Sequence, residues 1–270
     1  MALKIGGSKR VDRNTAPSTV QLIDPTTTAG VQPVGKSGMT LVFSDEFNGT
    51  TLDRLKWDPW YPDTPFWNAP GQGYPGHKTN TNEPQVYDPS GITVSGGTMK
   101  FTMRNESSVP APYNTTWPYT SGMVTSYPSF NPTYGYFETR MLLNTTHDLW
   151  PAFWMDRTDQ VWPPEIDWME HGLYHPTIIS HMYHAGEGGQ TTTPTQNVYA
   201  NIDSTWFTFG GEWRAGKIDW YIDGSLVKTF SHASINNQPM YLICNLAGLG
   251  NVDPSTLPQS VQVDYIRAWA

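Results

Sequence analysis

Short runs of alternating apolar and polar residues, each cut off by Gly, Pro, Asn or Asp, recur from Met39 to the end of the chain, as in TLVFSDEF, GITVSGGTMKFTMR, YGYFETRMLL, KIDWYIDGSLVKTF and VQVDYIRAW. A period of two sends successive side chains to opposite faces of a strand. No segment sustains a helical period, and 23 prolines interrupt most candidates. The pattern therefore predicts an all-β sandwich or barrel. Within KIDWYIDGSLVKTF, Asp223-Gly224 sits between two alternating stretches and predicts a hairpin, because both central residues of that turn need positive φ. A single β domain over residues 38–270 is within the usual size for such folds. Residues 1–37 are polar, carry Lys4, Lys9, Arg10 and Arg13, and are expected to form an arm or linker. The longest loop-like stretch, Asp58 to Gln85, is dense in Pro, Gly, Asn and aromatic residues, and a loop of that length is usually functional.

Composition narrows the function. Charged residues are 15% and aromatics 13%, with 12 Trp and 14 Tyr, so some π surface is expected outside the core. A formal charge of −8 with a pI near 5.2 argues against nucleic acid and other polyanions, which call for clustered Lys and Arg. Cys244 is the sole cysteine, so neither an intramolecular disulfide nor a Cys-based zinc site can form. Nowhere is there an apolar run of membrane-spanning length, and MALKIGGSKRVDRNTAPSTVQL lacks one of signal-peptide length. Export is thus expected either after removal of a leader or by another route.

The informative segment is Trp162-Pro-Pro-Glu-Ile-Asp-Trp-Met-Glu-His171. In a regular strand Glu165 and Asp167 share a face and Glu170 does not. A one-residue bulge around Trp168 and Met169 would bring Glu170 back to that face, and bulges occur beside active sites because they re-aim side chains. Three carboxylates in a row raise one another's pKa. Glycoside hydrolysis uses that arrangement: a retaining enzyme needs an ionised carboxylate to attack the anomeric carbon and a protonated one to release the leaving oxygen. Glu165 and Glu170 fit these roles, with Asp167 between them to share the proton. An exposed acidic strand face, or a carboxylate metal site, is the plainer alternative. Trp150, Trp154, Trp162 and Trp168 flank the acids, and indole faces stack on sugar rings, although Trp in a sandwich is as often core.

These residues resemble glycoside hydrolase family 16, whose signature is Glu-x-Asp-x-Glu or the bulged Glu-x-Asp-x-x-Glu found here. The likeness continues through LVFSDEFNGTTLDRLKW, NEPQVY, YTSGMVTS, YGYFETRM, LWPAFWM, WYIDGSLV, PMYLICNLAGLGN and VDYIRAW, covering residues 39–270. The resemblance implies a β-jelly-roll sandwich of two curved antiparallel sheets with a concave cleft. It assigns Glu165 as nucleophile, Asp167 as its assistant and Glu170 as acid/base. Trp150 and Trp154 match sugar-stacking residues, and Asn82 and Glu83 match sugar contacts. Trp168, His171 and His184 are further substrate-binding candidates, with His181 as an alternative on the same neighbouring strand. Trp168 stands where the family usually has an aliphatic residue, and Pro163-Pro164 where it often has Gly, which bears on substrate preference. No cofactor is implied for catalysis. A structural calcium is implied at Glu46, Asp264 and a backbone carbonyl near Gly97, and a surface carboxylate pair between the first and last strands is the alternative.

The bulged signature is more typical of laminarinase-like and agarase-like members, so the expected function is retaining, endo-acting cleavage of internal β-linkages in a glucan, foremost β-1,3-glucan. Galactan cleavage and transglycosylation stay open. A glycan-binding or structural module of a larger particle, such as a phage tail component, is the alternative from a different class, supported by the basic arm. The expected partner is a polysaccharide, with no nucleic acid and no membrane, and the arm could attach the domain to an assembly. The location expected is extracellular or on a particle surface.

Overall fold

The computed structural model describes residues 21–62, 83–108, 116–143, 148–172, 177–185, 192, 195–199 and 202–270. In chain order the strands are β1 (Leu41–Asp45), β2 (Gln85–Tyr87), β3 (Ile92–Ser95), β4 (Thr98–Met103), β5 (Tyr119–Ser121), β6 (Met123–Thr125), β7 (Gly135–Leu142) and β8 (Leu149–Arg157). There follow β9 (Glu165–His171), β10 (Ile178–His184), β11 (Thr195–Val198), β12 (Trp206–Arg214), β13 (Lys217–Ile222), β14 (Ser225–Ser231), β15 (Met240–Gly248) and β16 (Gln259–Trp269). Helix among the described residues is confined to single 3-10 turns.

Two antiparallel sheets make the β-jelly-roll sandwich. One has the order β14-β13-β12-β7-β16-β4-β3, with β1 pairing on the far half of β16; the other runs β11-β10-β9-β8-β15-β6. Strands β2 and β5 add a small parallel pair. The Asp223-Gly224 turn joins β13 to β14 with φ of 47° and 74°, as the hairpin expectation requires.

The core lies between the sheets. Phe137, Phe209, Trp213 and Trp220 from the eight-stranded sheet meet Phe153, Met155, Ile166, Trp168 and Met169 from the six-stranded one, all fully buried. Trp168 stacks on Phe137 at 5.6 Å between ring centroids and leans on Trp220 at 6.3 Å. Gly211 makes room for it: a Cβ there would stand 2.4 Å from the indole. Truncating Trp168 would cost about 3–5 kcal/mol by leaving a cavity.

Residues 21–37 depart from the arm expectation. Val34 donates its N–H to buried Glu138 at 2.9 Å, Lys36 pairs with Glu212 at 2.9 Å, and Trp269 donates to the Val31 carbonyl at 3.0 Å. The stretch is a strap across the eight-stranded sheet, held by partners too distant in sequence for composition to reveal; residues 1–20 lie outside the described residues. Thr40 and Ala270 exchange backbone hydrogen bonds of 3.0 and 2.8 Å beside the Leu41–Trp269 pair.

Candidate active site

The outer face of the six-stranded sheet is built around a bulge in β9. On β10, Ser180 faces Glu170 and Met182 faces Asp167, while on β8 Ala152 faces Glu170 and Trp154 faces Asp167. On both sides one residue of the neighbouring strand spans Trp168 and Met169. That extra residue restores the phase, so Glu165, Asp167 and Glu170 share the outer face while Ile166, Trp168 and Met169 enter the core. The carbonyls displaced by the bulge find new donors: Trp220 Nε1 donates to Asp167 O and His181 Nδ1 to Trp168 O, both at 2.7 Å. Burial depresses His181 to about 4, so its ring is neutral.

The acids are closely attended. Trp150 Nε1 donates to Glu170 Oε1 at 3.0 Å, and Trp162 Nε1 to Glu165 Oε2 at 2.9 Å. His184 Nε2 lies 3.4 Å from Glu165 Oε1 and 3.3 Å from Asp167 Oδ2. Burial is the main reason that all three acids hold protons above their ordinary range. Glu165 is raised well above it by burial and by Asp167, and Asp167 by burial and by Glu170. Glu170 is pushed up to about 7 by burial, against the opposing pull of His184 and the Trp150 indole. Such a row carries a carboxylic acid and a carboxylate at the same pH, which is what acid-assisted displacement at an acetal carbon needs.

Beside the acids lies an aromatic floor of Tyr87, Met123, Trp154, Tyr241 and Ile243, with Tyr61 and Tyr127 packed on it. Tyr61 and Trp154 stack at 6.1 Å and 17°. A polar chain fixes Trp154: its Nε1 donates to Asn245 Oδ1 at 2.7 Å, Asn245 Nδ2 donates to Tyr87 Oη at 3.0 Å, and Tyr87 donates to Glu83 at 3.0 Å. Glu83, 3% exposed, is therefore an anchor beneath the floor rather than a sugar contact. Asn82 lies outside the described residues.

Two more expected substrate contacts are turned away from the cleft. Trp168 is core, as above. His171, fully buried, points to the opposite side, its Nδ1 3.2 Å from Ile178 O and its Nε2 3.2 Å from Asp203. Strand parity explains both, since each directly follows an acid on the outer face. The calcium candidates already have partners: Arg267 takes both oxygens of Glu46 at 2.8 and 2.7 Å, Arg140 takes Asp264 at 2.7 Å, and Gly97 lies by Asn48. These side chains are already charge-compensated and do not fit that cation.

One of the flanking indoles takes a definite place in the site, and the structure adds Asp156 and Tyr61, which the sequence did not single out. Trp162, 59% exposed, leans over His184 at 5.9 Å. Asp156, the cross-strand neighbour of Glu165, receives the Tyr61 hydroxyl and is raised to about 6 by burial. Trp162 stood within the informative segment, whereas Asp156 and Tyr61 depend on strand pairing that no local pattern discloses.

Comparison with known proteins agrees with this geometry. The profile of glycosyl hydrolases family 16 matches residues 78–267. The endo-1,3-1,4-beta-glycanase EglC of Rhizobium meliloti is 32% identical over 252 residues, 87% of this chain and 52% of that protein. Glucan endo-1,3-beta-glucosidase A1 of Niallia circulans is 33% identical, over 86% of this chain and 38% of its own length. The chain thus spans about half or less of these curated relatives. Among solved structures, the laminarinase of Rhodothermus marinus superposes with a TM-score of 0.71 at 27% identity, covering 86% of this chain and 97% of that one. The laminarinase of Flavobacterium sp. UMI-01 gives 0.69 at 27% identity, with 86% and 100% covered.

Proposed function

This chain belongs to glycosyl hydrolases family 16, and from that premise we propose that it is a retaining endo-glycosidase acting on β-1,3-linked glucan, including mixed-linkage chains. The observation that carries the reading is the β9 bulge, which sets Glu165, Asp167 and Glu170 on one face beside Trp150 and Trp154. The relatives named above as glucanases and laminarinases support the choice of glucan.

In this reading Glu165 attacks the anomeric carbon as the glycosidic bond breaks, and Glu170 gives its proton to the departing oxygen. A covalent glycosyl ester on Glu165 results. Water then attacks the same carbon while Glu170, now ionised, takes the water's proton, and Glu165 leaves as carboxylate. The Trp162 indole N–H and the His184 imidazole stabilise the anionic form of Glu165, while burial keeps the proton on Glu170 until it is needed. Asp167 lies between them and tunes both. Trp150 offers an indole to a sugar ring beside the cut, and Trp154, 7% exposed with Tyr61 stacked on it, supports the cleft from within the aromatic floor. Attachment of the domain to a larger assembly through the N-terminal arm, and an extracellular or particle-surface location, complete the proposal.

The experiment is a reducing-sugar assay on laminarin, lichenan, agarose and xyloglucan, with the first-formed anomer followed by NMR. Turnover is expected on laminarin and lichenan with the β-anomer appearing first. Initial α-product would end the double-displacement reading, and cleavage of agarose alone would replace glucan by galactan.

A further inference from the structure

We propose that Glu165, Asp167 and His184 also form a binding site for a borderline divalent transition metal of the zinc type, and that such an ion occupies the cleft in competition with the glycan. One Glu, one Asp and one His present ligand atoms that all lie within 4.8 Å of one another. His184 Nε2 is 3.4 Å from Glu165 Oε1 and 3.3 Å from Asp167 Oδ2. In a tetrahedral site with ligand distances of about 2.0–2.1 Å, two ligand atoms stand about 3.3 Å apart. Two of the three edges already match that spacing, and an ion would enter by drawing the Glu165 and Asp167 oxygens, within 4.8 Å of each other, together to complete the third.

A second observation points the same way. Asp167 Oδ2 is buried, in a residue 2% exposed, and, although His184 Nε2 stands 3.3 Å away, no well-formed hydrogen bond meets it. A buried carboxylate oxygen without a donor costs stability unless a proton or cation meets it. Glu165 is already oriented, because Trp162 holds Oε2 and leaves Oε1 turned to His184; such outer partners are what fix metal ligands. The exposed Trp162 edge leaves a path for the ion, and a fourth position is open to water. One nitrogen and two oxygens at this spacing suit a four-coordinate borderline ion, not calcium, which gathers six to eight oxygens at longer range. Competition with glycan rests on the function proposed above; binding of the ion does not.

The test is a cobalt(II) titration of the full chain, read by visible absorption and reversed by zinc, alongside laminarin kinetics with and without zinc. A saturable band at one ion per chain is expected, with zinc raising KM and leaving kcat unchanged. His184→Gln should weaken cobalt binding at least about tenfold, and His232→Gln, on the far sheet, should not change it. Glu165→Gln, which replaces an anionic ligand by an amide, should weaken binding likewise and serves if the His184 variant fails to fold. Absence of saturable binding, or binding that survives both site variants, overturns the proposal. So does zinc inhibition that glycan cannot relieve. Cobalt binding as described by a chain that cuts no polysaccharide would leave the metal site standing and remove the enzymatic reading instead.

Discussion

The charge-paired carboxylates of the eight-stranded sheet and the clustered acids of the six-stranded one are held in opposite ways. On the eight-stranded sheet, Glu46 is gripped at both oxygens by Arg267, Glu212 is paired with Lys36, and Asp219 has Arg214 and Lys217. Burial alone would raise Asp219, but Thr229 and Lys217 outweigh it and hold the carboxyl below its ordinary value. On the six-stranded sheet, no described Arg or Lys forms an ion pair with Glu165, Asp167 or Glu170; the close partners are two indoles and an imidazole, and Lys228 acts on Asp167 only at longer range. A permanent cation locks an acid as anion, whereas a neutral donor lets it gain and lose a proton within one turnover. The charge-paired acids that hold the fold together thus differ from those that react in the donor beside them; buried Glu138, met by the Val34 N–H and the Tyr265 hydroxyl, shows that a neutral donor does not by itself make an acid reactive.

That contrast breaks most visibly at Glu165. Glu165→Gln should drop turnover on laminarin to the assay background while isothermal titration still detects oligosaccharide binding; retained turnover would mean that the outer-face acids are no more reactive than the others. Glu170→Gln should lower kcat by about 10²–10⁴-fold on polysaccharide, and an aryl glycoside with a good leaving group should recover most of it. In the parent chain Glu170 must carry its proton, so kcat should fall about tenfold per pH unit above about 7; a flat profile to pH 9 would contradict the assignment. On the other face, Arg267→Ala strands the largely buried Glu46 carboxylate and should cost roughly 2–4 kcal/mol in urea unfolding, with kcat/KM per folded molecule unaltered.

The smallest effect has the most diagnostic sign. Because folding raises the pKa of Glu170, the native state binds more protons than the unfolded chain between about pH 4.5 and 7, and stability falls as pH rises through that window. Gln does not titrate. Glu170→Gln should therefore be more stable than the parent by roughly 1–3 kcal/mol at pH 8, and the difference should vanish near pH 4. Urea midpoints at the two pH values decide it.

The strand pattern, the Asp223-Gly224 hairpin and the bulge were legible because each is written in adjacent residues: parity, a turn dipeptide, and acids spaced one residue too far apart for regular alternation. The same parity, carried one step further, assigns Trp168 and His171 to the core, and proximity to the acids obscured it. What stayed hidden needs partners from far along the chain. Asp156 reaches Glu165 only through the β8–β9 register, Glu83 anchors Trp154 only through Tyr87 and Asn245, and the strap over residues 21–37 is defined by Glu138, Glu212 and Trp269. Composition reports polarity in such a stretch but not whether a sheet lies beneath it.

The mutual hydrogen bonds of Thr40 and Ala270 stitch the point where the strap passes into β1 to the end of β16. A seam of this kind ties the strap to the last strand on the sheet opposite the acids, so a disturbance there is borne away from the cleft. By the same token, a rewired chain with new ends at the exposed Arg214–Lys217 turn should keep the cleft only if its linker leaves residues 21–37 in place, because Val34, Lys36 and the Val31 carbonyl bind Glu138, Glu212 and Trp269.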